Sequence, residues 1–351
     1  MKVRILTFWG VPNHGCFLQA YALQMVLQHI CKDDDVKQIA YLGKKHYDFY
    51  YNSRFDKRKI LRLKKEFELR KYIKHYNIIP HTYNKCIIKF PSEKMDILVL
   101  GSDIIWDYNS ELLYGEEYLF GGGVLAEKKI SYAPSFGNSN SIDDIPEYVN
   151  ELISSLDAIS VRDENSQKIV EIITGNKPEL VLDPTLLYDF SNDENIKQPH
   201  EKEPYAIVYG SDFTDLQIQN LTEFAKKRGL KIINLEFMGK CYSWCDKTIR
   251  RDQLSPFEWL GYFKYSSCIL TSTFHGLMFG MIFQKNMVFN PTEFIMKKVS
   301  KLLIDLQVEQ LLLNNNDFTI AEKSFNYSVI SLTLNQLREK SLEYLEKNIM
   351  Q

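Results

Sequence analysis

The chain is 351 residues long, carries a formal net charge of -2 and is 45% apolar by composition. That length supports a large core and two domains of ordinary size, and it excludes a small scaffold stapled by disulfides or metals. The near-neutral balance lacks the basic excess of a general nucleic-acid binder, so no nucleic-acid partner is expected.

Six cysteines (Cys16, Cys31, Cys86, Cys241, Cys245 and Cys268) are scattered without a CxxC pair or a zinc-type spacing, which favours reduced thiols and a cytoplasmic protein. The chain opens on the strand-like VRILTF with no signal-peptide pattern. No run approaches the roughly 20 apolar residues that a membrane span needs.

Val3 to Phe8 reads as a buried strand, Trp9 to Cys16 as a turn-rich loop containing Asn13, His14 and Gly15, and Phe17 to Ile30 as a helix with a broadly apolar side. From Tyr41 to Lys94 the alternation breaks. Between Lys44 and Lys74 twelve Lys or Arg stand against four Asp or Glu, a local net of +8. The basic segment 44–76 reads either as a solvated helix over the core or as a peripheral contact to the anionic inner face of a membrane.

The βα rhythm then resumes. Asp96 to Leu100 is a strand ending in Gly101, Ser102 and Asp103, with Trp106 three residues on. Lys129 to Ala133 leads to Pro134 and Ser135, Ala158 to Val161 to Arg162 and Asp163, and Glu179 to Leu182 to Asp183. Polar residues gather at strand ends, where α/β proteins keep their sites. The polar stretch Asp189 to Pro204 is the best linker, so the domains are expected at 1–190, with an insertion at about 44–94, and at 204–351.

Tyr205 to Tyr209, a helix over Asp215 to Arg228 stopped by Gly229, and Leu230 to Leu235 form another βαβ unit. Ser255-Pro256 starts a helix that leads to the stretch CILTSTFHGLMFGMIF, Cys268 to Phe283. It reads as strand, tight turn and buried helix, with His275 at the helix start, where free N–H groups favour an anion. Lys298 to Leu313 and Thr333 to Ile349 read as closing helices. The expected architecture is two α/β domains with a ligand cleft between them.

No phosphate-loop lysine motif, GxGxxG after the first strand, HExxH or GxSxG is present. Three candidates remain on different strand ends: His275 as acid/base, Asp103 as carboxylate and Arg162 as anion anchor. Each also has a purely structural reading, His275 as a turn cap, Asp103 as a helix cap and Arg162 as the partner of Asp163 or another acid. No cofactor and no metal is demanded, since the carboxylates form no ligand cluster.

The motifs NHGCFLQAYAL near the start, GSDIIW at 101–106, SYAPSFG at 131–137, SVRDENS at 160–166, LDPTLL at 182–187 and STFHG at 272–276 resemble, in order, those of the polysaccharide pyruvyl transferases. The resemblance runs nearly end to end. It implies a GT-B-like fold of two Rossmann-type α/β domains with an interdomain cleft, acceptor side first and donor side second. It also implies transfer of the enolpyruvyl group of phosphoenolpyruvate onto a sugar of a surface polysaccharide, or onto a lipid-linked oligosaccharide precursor, as a ketal. His275 and Asp103 would then be catalytic. Arg162, Ser272, Gly276, Asn13 and Gly15 would bind the donor, and His14, Gln19, Trp106 and Ser135 the acceptor; Trp9 is a second candidate for stacking on a sugar. In one branch of the family an Arg precedes the histidine by two residues, and here that position is Thr273, so Arg250 and Arg251 become candidate second anchors. Asp163 stands where many members carry Glu, and the shorter carboxylate is expected to orient Arg162 less well. Two other readings compete: a GT-B glycosyltransferase using a nucleotide sugar, and a non-catalytic glycan-binding module.

Overall fold

The computed structural model describes residues 1–51, 88–139 and 144–350. Most of the basic segment, including its helix-like stretch Leu61 to Tyr83, lies outside the described residues. Among the described residues no helix is long and apolar enough to cross a membrane. The chain divides into two compact units, Met1–Tyr188 with Leu337–Gln351, and Asp189–Gln336.

The first unit contains β1 (Lys2–Leu6), α1 (His14–Ile30), β2 (Asp35–Gln38), α2 (Lys44–Tyr51), β3 (Met95–Leu100), β4 (Ala126–Ser131), α3 (Glu147–Ser154), β5 (Ser160–Val161), α4 (Glu164–Thr174) and β6 (Glu179–Leu180). Its main sheet is parallel, in the order β2-β1-β3-β4, and a bridge between Ile130 and Ala158 joins it to the parallel pair β5-β6. Successive residues of a strand face opposite sides. Accordingly Leu98 and Leu100 of β3 pack in one cluster with Val149, Ile153, Ile169 and Val170 of α3 and α4. Ile97 and Val99 pack in another with Leu23, Val26 and Leu27 of α1. Both faces are covered, which is why β3 reads as a continuous apolar run.

The second unit contains β7 (Tyr205–Tyr209), α5 (Asp215–Arg228), β8 (Lys231–Leu235), β9 (Lys247–Ile249), α6 (Pro256–Tyr265), β10 (Cys268–Thr271), α7 (Phe274–Ile282), β11 (Asn286–Phe289), α8 (Glu293–Asp305), α9 (Glu309–Asn314) and α10 (Phe318–Ser324). The sheet is parallel in the order β11-β10-β7-β8-β9. One face packs α5 and Phe318 of α10 through an aliphatic cluster. On α6 and α7, Trp259, Phe263 and Phe279 form an aromatic group with Tyr209. Capping boxes at Thr214/Gln217 and Ser255/Glu258 start α5 and α6, and Gly229 ends α5 at φ 64°.

Two expectations are corrected. The stretch Lys298 to Leu313 is not one helix, because Gln307 takes φ 58° and separates α8 from α9. Residues 337–351 do not belong with the second domain. The last helix, α11 (Tyr327–Met350), packs Tyr344, Leu345 and Ile349 into the first unit's α1-side cluster. Its Tyr344 hydroxyl donates to Ser131 O at 2.9 Å, and its Ser341 Oγ accepts from Leu182 N at 3.0 Å.

Candidate functional site

In the first unit the chain moves from β1 to β2 on one side and resumes with β3 on the other, so the carboxyl ends of β1 and β3 form the switch point of the sheet. Thr7 Oγ1 donates to Ser102 O at 2.8 Å and ties the two ends together. Gln19, fully buried on α1, braces them, its Nε2 donating to Thr7 Oγ1 and Phe8 O at 3.0 Å and to Cys16 O at 2.8 Å. Gln19 is thus an internal strut, which corrects its reading as an acceptor contact.

Asp103 follows β3 with φ 69°, a left-handed conformation that costs a non-glycine residue on the order of 1 kcal/mol or more. The fold holds it there by a bridge to Pro134 and by Ser135 N donating to Asp103 O at 2.8 Å. Its Oδ1 accepts from Ile104 N at 2.8 Å and lies 3.9 Å from Arg162 Nη2. Arg162 Nη1 in turn donates to Asp183 Oδ2 at 2.6 Å, while Asp183 Oδ1 accepts from Thr185 N and Oγ1. Burial works against the guanidinium charge, but Asp183, Asp103 and Asp163 outweigh it and raise the Arg162 pKa.

This geometry reassigns several residues. Arg162 is oriented by Asp183, which the sequence did not nominate; Asp163 instead caps α4, its Oδ1 accepting from Ser166 N and Oγ at 2.8 Å. As a buried partner of Asp183 and Asp103, Arg162 is not a free anion anchor. Ser135 is 1% exposed and brackets Asp103 through its backbone. Asn13 caps α1 by accepting from Gly15 N at 3.0 Å, so the N–H of Gly15 is taken up within the turn, and His14 is buried at the first position of the helix. Trp106 is fully buried, donates to Leu119 O at 3.0 Å and stacks on Phe120; Trp9 donates to Ile39 O at 2.9 Å. Both tryptophans are core residues, which corrects their reading as sugar platforms.

The second unit repeats the arrangement. β7 leads to β8 and β9 on one side and β10 lies on the other, so the turn Thr271 to Gly276 sits at that sheet's switch point. Gly210 after β7 has φ 139°, and a Cβ there would meet Ser272 Oγ at 2.2 Å. Ser272 Oγ accepts from Ser211 N at 2.8 Å, and Thr271 Oγ1 donates to Tyr209 O at 2.7 Å. Thr273 is the N-cap of α7, its Oγ1 accepting from Gly276 N at 3.0 Å. The Gly276 N–H is therefore committed to the cap, which corrects its reading as a donor to substrate. Glycine is required there for another reason: a Cβ would meet Thr271 Oγ1 at 2.1 Å and Thr273 Oγ1 at 2.6 Å. His275 is the one residue of 271–280 that is not buried; its ring meets Phe274 edge-on at 5.1 Å and stacks at 6.4 Å on Phe279. Of the proposed second anchors, Arg250 is paired bidentately with Asp252 at 3.0 and 2.8 Å, and Arg251 uses its backbone N–H on Glu236.

A further residue that sequence reasoning missed is His46 on α2. It is 6% exposed, its ring lies 4.8 Å from that of Phe8 at the end of β1, and burial pushes its pKa down to about 4 although Asp103 acts in the opposite sense. Among the described residues no group of three or more His, Cys, Asp or Glu is placed to hold a metal ion.

Two parallel α/β units with polar clusters at their switch points define a GT-B-like fold. The chain superimposes on UDP-GlcNAc 2-epimerase from Neisseria meningitidis bound to UDP-GlcNAc with a TM-score of 0.55, at 12% identity over 99% of this chain and 100% of that one. Lower scores relate it to E. coli heptosyltransferase WaaC with ADP-2-deoxy-2-fluoro heptose (0.39, 11% identity, 84% and 90% covered). The same holds for Streptomyces sp. SF2575 glycosyltransferase SsfS6 complexed with thymidine diphosphate (0.43, 10% identity, 99% of each chain). No curated protein matches the sequence. A family model for polysaccharide pyruvyl transferase matches residues 13–289, and the chain belongs to that family.

Proposed function

We propose that the protein transfers the enolpyruvyl group of phosphoenolpyruvate to a galactose-type sugar of a surface polysaccharide or its lipid-linked precursor. The product is a pyruvate ketal. The observation that carries this reading is the family match over residues 13–289, which takes in all the strand-end motifs.

The donor's methylene carbon accepts a proton from a general acid, which leaves positive charge on the central carbon. One sugar hydroxyl attacks there as a base removes its proton; the C–O bond to phosphate then breaks, and inorganic phosphate carries away the bonding pair. The second hydroxyl closes the ring and its proton goes to the phosphate or to solvent. Asp103 is suited to the base role, since its strained turn is held rigidly and a preoriented carboxylate lowers the barrier to proton removal. His275, partly exposed beside the Thr273 cap, serves as the acid or as a phosphate ligand. Arg162 holds the Asp103 and Asp183 carboxylates in place.

The test is incubation with phosphoenolpyruvate and a panel of galactose-terminated acceptors, scored by phosphate release and by the acceptor's mass gain. Expected is stoichiometric release of phosphate with formation of the ketal. Turnover of a nucleotide sugar without response to phosphoenolpyruvate would replace this reading with glycosyl transfer.

A further inference from the structure

We infer that one face of α2, formed by His46, Phe49 and Tyr50 beside Asp103, is the subsite that binds the acceptor sugar, with His46 as its hydroxyl ligand. The inference rests on the proposed transfer to a sugar and deepens it.

These three residues stand at i, i+3 and i+4, so they share one side of the helix. His46 packs tilted on Tyr50 at 5.2 Å, and Phe49 meets Tyr50 edge-on at 4.9 Å. The face grades from buried to open, with His46 6% exposed, Tyr50 half-buried and Phe49 59% exposed. An exposed phenyl ring and a buried polar ring, joined through Tyr50, which itself packs on the core, make the amphipathic arrangement that a pyranose needs, apolar C–H face on one side and hydroxyls on the other.

The position of this face ties it to the reaction. His46 contacts Phe8, the residue after Thr7, and Thr7 is hydrogen-bonded to Ser102, the residue before Asp103. The cluster thus lies at the first sheet's switch point, and Asp103 is the charged group that acts on the imidazole. The two described ring neighbours of His46 offer it aromatic surfaces rather than hydrogen-bond partners. The lysines of the same helix are engaged elsewhere, Lys44 with Asp48 and Lys45 with Tyr114 O at 3.0 Å.

With its pKa pushed down to about 4 the buried imidazole stays neutral at neutral pH, which suits it to hydrogen bonding, while proton removal is left with Asp103 as proposed above. The neutral ring has one donor and one acceptor nitrogen, and this pair can both accept from and donate to sugar hydroxyls. His46 and Asp103 together would then hold the two hydroxyls that the ketal bridges. Trp9 and Trp106, locked in the core, leave the aromatic role to Phe49 and Tyr50.

The test uses the full chain and no phosphoenolpyruvate, so that it reads binding alone. Methyl glycosides of galactose, glucose, mannose and N-acetylmannosamine are titrated while the His46 ring resonances, assigned with His46→Phe, are followed by NMR. One glycoside is expected to shift them, and His46→Phe and Phe49→Ala are each expected to weaken its binding about tenfold. His46→Phe keeps the ring packing on Phe8, and Phe49→Ala alters an exposed side chain, so thermal melts near wild type accompany both. A glycoside that shifts His46 in a protein unable to use phosphoenolpyruvate keeps the subsite and removes the transfer reading. No shift with any glycoside, or an unchanged affinity for the shifting glycoside in both variants, overturns the subsite.

Discussion

Asp103 and Arg162 make separable contributions, and substitution distinguishes them. Asp103→Asn preserves the acceptor for Ile104 N and the left-handed turn, but removes the charge that a base requires. Activity should fall about 10²-fold or more while the melting temperature stays within a few degrees. Arg162→Met should behave otherwise, because it leaves Asp183 and Asp103 buried without the guanidinium that compensates them. A loss of about 3–5 kcal/mol in denaturant titration is expected, and an inactive variant of wild-type stability would contradict the clamp role. These residues also show what could be read from the sequence. Their position at strand ends was legible, because polar side chains there follow apolar runs. Their partners were not: Asp183 lies 21 residues from Arg162, and nothing in the local pattern says that it, rather than adjacent Asp163, takes the ion pair.

Within elements, local chemistry dictated the helix starts, and tertiary contact decided the rest. The cap of α6 at Ser255-Pro256 and the stop of α5 at Gly229 follow from side-chain reach and backbone freedom alone. Strands β2, β9 and β11, absent from the sequence reading, are three- or four-residue edge strands. At this length they give no run long enough to stand out: β2 and β9 are largely polar, and the buried Met287 to Phe289 of β11 is only three residues. The break at Gln307 was equally hidden, since the stretch LLIDLQVEQLLL carries neither Gly nor Pro. Gly261 illustrates how packing overrides propensity. In the middle of α6, Ala should be favoured by about 1 kcal/mol. A Cβ at Gly261, however, would meet Lys197 O at 2.1 Å, and a backbone oxygen cannot rotate away. Gly261→Ala is therefore expected to destabilise by about 1–3 kcal/mol in chemical denaturation, and a stabilised variant would show that the 197–199 segment moves freely. At α7, Thr273→Ala should cost about 1 kcal/mol through loss of the cap on Gly276 N.

For the molecule as a whole, the buried histidine makes stability depend on pH in a direction that can be worked out. The folded state holds the His46 pKa at about 4, whereas an unfolded histidine titrates near 6.5. Between these values the unfolded chain binds the extra proton, so acid favours unfolding. The contribution is fully present above about pH 6.5, declines as the pH falls and is exhausted near pH 4; by pH 5 about 2 kcal/mol is lost. Asp35 and Glu93, whose pKa values are lowered chiefly by hydrogen bonds from Lys37 and Arg4 respectively, weaken the fold in the same direction at lower pH. A single acid titration would therefore mix the effects. Comparison with His46→Phe isolates the histidine, because that variant keeps the ring against Phe8 and the carboxylates but has no group titrating near pH 6 at that position. Between pH 7 and pH 5 the urea midpoint should fall further for the wild type than for the variant, by an amount corresponding to about 2 kcal/mol. Parallel profiles would mean that His46 is hydrated and charged in the folded state, and an imidazolium beside Asp103 would then make an ion pair where the acceptor subsite requires a neutral ring.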